Sequence, residues 1–244
     1  MKASVCMGVY NGERFIAEQI ASILPQLDKD DELVISDNLS TDKTREIVNN
    51  FGNSKIKLVT NPTFTDLIFN FENALKHALG DVILLADCDD VWLPKKVETM
   101  KSLLETYDLV VSDCVIVDAE QNILHESFFK SANVRKGVVR NIIRNSYVGC
   151  CMAFRRELLD VALPFPKNIP MHDIWLASLA ELFGQTYFCD KRLMNYRRHG
   201  NNLSSTAGTS RYPLAKKIRF RIDLSLSLIR RYLEYRFSRG RRRV

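Results

Sequence analysis

The chain has 244 residues, of which 46% are hydrophobic, 26% charged and 9% aromatic, a composition that excludes disordered, collagen-like and coiled-coil classes. The net charge of +6 is concentrated at one end: residues 211–244 hold 12 basic and 2 acidic side chains, leaving 23 basic and 27 acidic in the rest. A mildly acidic body argues against a surface that grips nucleic acid. No apolar run has the length of a membrane span or the layout of a secretory signal. Six cysteines without C-x-x-C spacing read as free thiols, which places the protein in a reducing cytoplasm.

The first hundred residues alternate strand-like and helical periods. Strands are expected at 3–9, 32–36, 56–60 and 82–86, each apolar and short. Helical spacing follows through Phe15, Ile20 and Leu24, then through Ile47 and Phe51 after Ser40-Thr41-Asp42 as N-cap. A third helix carries Phe71, Leu75 and Ala78, with Thr65 as its cap and Gly80 as its stop, and a fourth opens at Pro94. Such alternation predicts a doubly wound α/β sheet. The second half is mixed: strands at 109–117, 121–124 and 147–154, a helix over 173–183, and two strands at 185–189 and 193–198. With no Gly/Ser linker, 1–210 reads as one domain, and 211–244 as an extension.

In an open parallel sheet, ligands bind beyond the carboxyl ends of the strands. Those ends carry Val9-Tyr10-Asn11-Gly12-Glu13, Ser36-Asp37-Asn38 and Asp87-Cys88-Asp89-Asp90. Clustered carboxylates repel one another unless a cation compensates, and an all-oxygen set suits Mg²⁺ or Mn²⁺ better than zinc. Asp89 is the expected ligand, and Asp90 the cap of the helix entered at Pro94. From spacing alone Asp173 reads first as a helix N-cap and second as a catalytic base. Arg197 and Arg198, beside His199, suit a phosphate-bearing ligand.

The segments MGVYNGERFIAEQIASIL, ELVISDNLSTDKT, GDVILLADCDDVWLPKK, NSYVGCCMAF, PMHDIWLA and MNYRRHGNNLS occur in the order found in GT-A family 2 glycosyltransferases. Over about residues 1–206 the chain resembles the bacterial, rhamnosyltransferase-like members. The resemblance implies a GT-A (Rossmann-like), mixed, mainly parallel sheet flanked by helices, with a nucleotide-sugar half (about 1–107) and an acceptor half (about 108–210). It further implies nucleotide contacts from Val9, Tyr10, Asn11, Glu13, Asp37, Asp87 and Cys88, with Asp37 reading the base N3–H. Asp89 and His199 are implied metal ligands and Asp173 the general base. His172, Trp175, Arg197, Arg198 and Gly149 are implied diphosphate or acceptor neighbours. Relatives usually read Asp-Asp-Gly-Ser where this chain has Asp37-Asn38-Leu39-Ser40.

The expected reaction is an inverting, metal-assisted transfer from a UDP- or dTDP-sugar to a hydroxyl of a lipid-linked glycan in bacterial surface polysaccharide synthesis. A sugar nucleotidyltransferase is the alternative enzyme, although no Gly-rich basic loop follows the first strand. A nucleic-acid binder using the tail is a weaker third. From Leu214 onward, apolar residues recur every three or four positions with basic residues between them, up to Gly240 and Arg241-Arg242-Arg243. This predicts a basic amphipathic helix on the inner, anionic face of the cell membrane.

Overall fold

The computed structural model describes residues 1–143, 145–200 and 213–241, with side chains described through 237. Asn201 and the side chains of Arg241, Arg242 and Arg243 lie outside the described residues. In chain order the elements are β1 (Ala3–Val9), α1 (Ile16–Ile23), β2 (Glu32–Asp37), α2 (Thr44–Asn50), β3 (Ile56–Thr60), α3 (Leu67–His77) and β4 (Val82–Asp87). There follow β5 (Val91–Trp92), α4 (Lys96–Leu103), β6 (Leu109–Val117), β7 (Ile123–His125), α5 (Phe128–Ala132), α6 (Val138–Ile143), β8 (Met152–Arg155), α7 (Leu158–Ala162), α8 (His172–Phe183), β9 (Thr186–Arg197) and α9 (Leu214–Arg241).

One mixed sheet runs in the order β3-β2-β1-β4-β8-β6-β9-β5, with β7 added to β6. The first four strands are parallel. β1, buried at every position, has the continuous apolar character of a strand covered on both faces. Chain order reverses between β1 and β4, so their carboxyl ends open a crevice at a topological switch point. β8 enters antiparallel between β4 and β6, which brings the second half of the chain to the same crevice.

Several local expectations are corrected. Asp66, not Thr65, caps α3 by accepting the Phe69 N–H, and the helix stops at His77, before Gly80. Gly80 is instead a close crossing: a Cβ there would lie 2.5 Å from the Ser4 nitrogen. The strand expected over 147–154 is interrupted by a 3-10 turn at Gly149–Cys151, because α8 presses against it: a Cβ on Gly149 would sit 3.1 Å from His172 Nε2. The two strands expected at 185–198 are one, β9, whose register shifts against β6 near Asp113. Gly240 does not end α9, which runs to Arg241. Among the described residues no helix is long and apolar enough to cross a membrane.

Candidate active site

Three strand ends converge on the crevice. At the first, Asn11 turns the chain with a left-handed φ of 51°, which the short polar side chain of asparagine tolerates. Its Oδ1 accepts the Thr41 N–H at 2.9 Å, and Ser40 Oγ accepts the Asn11 N–H at 3.0 Å. Gly12 follows where a Cβ would lie 2.8 Å from Val9 Cγ2 and 3.2 Å from Cys88 Sγ, so the loop packs directly onto the acidic segment. Tyr10 is half exposed and meets Phe64 edge-on, with ring centroids 5.1 Å apart. Phe64 was not foreseen; its only sequence signal is an apolar residue within a polar loop.

Asp37, ending β2, is fully buried; its carboxylate accepts the Ser40 N–H, and Arg45 Nε stands 4.0 Å away. The residue expected to read a base is thus covered and already held by its own turn. Asn38 donates to the Thr65 carbonyl at 2.6 Å and accepts the Thr65 N–H at 3.0 Å. An aspartate could not make the first bond, so asparagine here ties the turn to the loop before α3. Glu13 also departs from expectation: its carboxylate accepts the Lys43 N–H while Asp42 accepts the Glu13 N–H, a reciprocal clamp at the start of α2.

Beyond β4 the carboxylates crowd. Burial, and next the Asp89 charge, lift the Asp87 carboxyl to about 7. Burial followed by Asp89 and Asp87 pushes Asp90 well above the usual carboxylate range. Asp90 is not a helix cap. Its Oδ1 accepts the Arg197 N–H at 2.9 Å, and its buried Oδ2 has no hydrogen-bond partner among the described residues. Asp89 Oδ2 meets His199 Nε2 at 2.8 Å, joining the end of β9 to the acidic loop. Arg197 is buried, and binds the carbonyls of Asp89 and Ala119 and the carboxylate of Glu18. Its guanidinium lies 4.6 Å over Phe15, whose ring also approaches His199. Arg198 donates its backbone N–H to the Val117 carbonyl.

A divalent cation fits this loop, since mutual repulsion and an orphaned buried oxygen are what a cation relieves. Asp87, Asp90 and Cys150 offer ligand atoms within 4.8 Å of one another, but Asp90 and Cys150 are wholly buried. Asp89 and His199, partly open to solvent, are the pair that a diphosphate could approach. Behind the loop, fully buried Lys96 donates to the Cys150 carbonyl at 2.7 Å and lies 4.4 Å over Trp92.

Asp173 occupies the first turn of α8. The helix N-terminus and the hydrogen bond from its own Ile174 N–H favour the anion, yet burial outweighs both and raises the carboxyl to about 6. Asn145 Nδ2 stands 3.4 Å from Oδ2, and the Asp173 charge is felt at Asp87. The two neighbours expected beside it lie in the core. Trp175 is core, its indole N–H donating to the Ala162 carbonyl at 3.0 Å. His172 is buried and stacked on Phe71 with centroids 4.0 Å apart, both ring nitrogens unpartnered among the described residues. Burial holds it neutral, down to about 3, so it brings no charge to a diphosphate. A groove of about 740 Å³ between α1 and α4, lined by Ser22, Gln26, Trp92 and Lys101, contains none of Asp37, Asp87, Asp89 or Asp173.

The fold is shared with solved glycosyltransferases. TarS of S. aureus, solved in complex with UDP-GlcNAc, superposes with a TM-score of 0.68 at 23% identity, over 83% of this chain and 60% of that one. A mannosyltransferase from Pyrobaculum calidifontis, solved with GDP-Man and Mn²⁺, gives 0.62 at 19% identity over 82% and 58%. Among sequences, WfgD of Escherichia coli, a UDP-Glc:alpha-D-GlcNAc-diphosphoundecaprenol beta-1,3-glucosyltransferase, is 27% identical over 83% of this chain and 79% of its own length. RfbG of Shigella flexneri, a dTDP-rhamnosyl transferase, is 27% identical over 80% and 72%. EpsE of Bacillus subtilis, named as a glycosyltransferase, is 38% identical over 123 residues, but the chain spans only 44% of its length. The family model described as Glycosyl transferase family 2 matches residues 4–162. That match runs from β1 through the acidic loop to β8 and α7, and the chain therefore belongs to glycosyl transferase family 2.

Proposed function

We propose that the protein transfers a sugar, with inversion, from a UDP- or dTDP-sugar to a hydroxyl of a lipid-linked glycan, in bacterial surface polysaccharide synthesis. The observation that carries this reading is the neighbouring carboxyl sites: a crowded acidic loop at Asp87 and Asp89, and Asp173, close enough for its charge to act on Asp87 and with its carboxyl raised to about 6. A base with that value is ionised at neutral pH and still attracts a proton. WfgD and RfbG, by their names, use UDP-Glc and a dTDP-sugar, which supports the donor class.

The nucleotide lies over Val9, Tyr10 and Asn11, with Asp87 and Cys88 closing the other side. Tyr10 and Phe64 offer exposed aromatic surface to the base, and Asp37 reaches it once the Ser40 turn yields. Asp89 and His199 would hold Mg²⁺ or Mn²⁺, which when bound would offset the charge gathering on the leaving diphosphate. Gly149, lacking a side chain, lets the first turn of α8 pack close and so sets Asp173 beside the acceptor strand. Asp173 takes the proton of the attacking hydroxyl, and attack opposite the leaving group inverts the anomeric centre. The enzyme works peripherally on the cytoplasmic face of the membrane, held there by α9.

Replacement Asp173→Asn tests this. Donor binding, followed by calorimetry, is expected to persist, while transfer falls about 10²- to 10⁴-fold. Undiminished turnover overturns the assignment.

A further inference from the structure

Helix α9 carries apolar side chains on two faces, and the body covers one. Leu224 and Leu228 are buried, and Tyr235 meets Phe183 of α8 edge-on. Arg231 donates to the carbonyls of Val161, Leu163 and Pro164. Roughly 150° round the helix, at 3.6 residues per turn, Ile218, Ile222, Leu226, Ile229, Leu233 and Phe237 form a second row, 47–71% exposed. The row is about 30 Å long at the helical rise. Isolated exposed apolar residues need no explanation, but a continuous row does.

Helix α6 lies alongside, with Arg221 Nη2 donating to the Ile143 carbonyl at 2.7 Å. It contributes two further bare side chains, Val139 and Ile143, 71% and 59% exposed. Basic residues border the α9 row, with Arg219 and Arg230 on one edge and Arg236 on the other. The two acidic residues of the helix are each paired with an arginine, Asp223 with Arg219 and Glu234 with Arg230. An apolar row edged by guanidinium groups complements an anionic lipid surface, where the chains are apolar and the headgroups negative.

We propose that α6 and α9 together form one bilayer-docking face, in which Val139 and Ile143 enter the boundary between headgroups and acyl chains beside the α9 row. This rests on the peripheral-membrane reading above and deepens it, because it fixes which side of the catalytic body meets the lipid. Two residues beyond Ile143, Asn145 stands at Asp173. Asn141 of α6 binds Ser178 of α8, the helix whose first turn holds Asp173. The docking face therefore adjoins the candidate base, and an acceptor hydroxyl carried on a membrane lipid is delivered to Asp173 from the α6 edge.

Tryptophan reporters introduced one at a time test it in the full chain. Trp92 and Trp175 are buried and provide a constant background. Ile143→Trp and, separately, Leu226→Trp are mixed with vesicles of phosphatidylcholine and phosphatidylglycerol, with or without brominated acyl chains. Both reporters are expected to be quenched by the brominated lipid, and neither in phosphatidylcholine alone at raised salt. Quenching of Leu226→Trp without Ile143→Trp overturns the two-helix face while leaving the peripheral reading intact. Absence of quenching at both sites overturns both. A lipid-independent spectral shift at Leu226→Trp that dilution reverses would assign the row to a second copy of the chain and also overturn the proposal. Val139→Asp combined with Ile143→Asp is expected to weaken vesicle partitioning about tenfold, with an unchanged melting temperature showing that the fold is intact.

Discussion

Leu39 turns the chain after Asp37 and Asn38 with φ at 62°, a conformation that costs a side-chain-bearing residue about 1–2 kcal/mol. It is more than a third exposed, so little packing is lost on removing it. Leu39→Gly relieves the strain, offset by about 0.5–1 kcal/mol from the freer unfolded chain. The expected net gain of up to about 1 kcal/mol is read as a higher urea midpoint. At Asp173 the sign is opposite to that of a salt-bridged carboxylate. Its folded value of about 6 lies above the ordinary 3.8, so the native state holds the proton more tightly and stability falls as pH rises from about 4 to about 6. Asp173→Asn is therefore expected to be more stable than the parent above about pH 7 by on the order of 1–2 kcal/mol, a margin reduced by the solvent the half-buried group keeps. The difference should vanish below about pH 4, as thermal melts across pH would reveal. At this scale the sequence announced which residues to examine but not their duties. Asp37, Glu13 and Arg197 were legible as polar residues at strand ends; that each is engaged by its own turn, the α2 start or the acidic loop follows from loop geometry that no spacing encodes.

Among elements, the four parallel strands and the helices between them were legible because each is a short apolar run or a one-faced helical period. Misreadings arose where tertiary contact decided the matter. The run Tyr147 to Phe154 has strand composition, yet the first turn of α8 pushes Gly149–Cys151 into a 3-10 turn. Leu224 and Leu228 share the helical spacing of the other apolar residues of α9, yet they are the packed side and the longer row is bare. Helix periodicity reports that faces exist, not which one a neighbour takes. The packed side depends on Arg231, whose guanidinium satisfies the carbonyls at the end of α7 and just beyond it. Arg231→Ala leaves those carbonyls without that partner, at about 1–3 kcal/mol. Amide exchange in α9 is expected to quicken while exchange in β1 and β4 stays slow; uniform protection would refute the anchor.

At the scale of the molecule, the candidate cation site draws on both halves of the chain, Asp89 from the loop after β4 and His199 after β9. Binding there should stabilise the whole fold by mass action. Protons on Asp87, lifted to about 7, compete with the cation, so Mn²⁺ is expected to raise the melting temperature more at about pH 8 than at about pH 6. Asp89→Ala should abolish the increment, and a pH-independent increment would refute the competition. The same junction has a consequence for engineering. Arg197 fastens the end of β9 to the Asp89 carbonyl, to Glu18 of α1 and, through its backbone, to Asp90. On the proposed division into donor and acceptor halves, a hybrid enzyme that takes the region beyond residue 107 from another transferase would also replace the clasp that shapes the acidic loop. Acceptor grafts should therefore end before β9 and leave residues 186–199 with their native partner, so that specificity is exchanged without dismantling the site it serves.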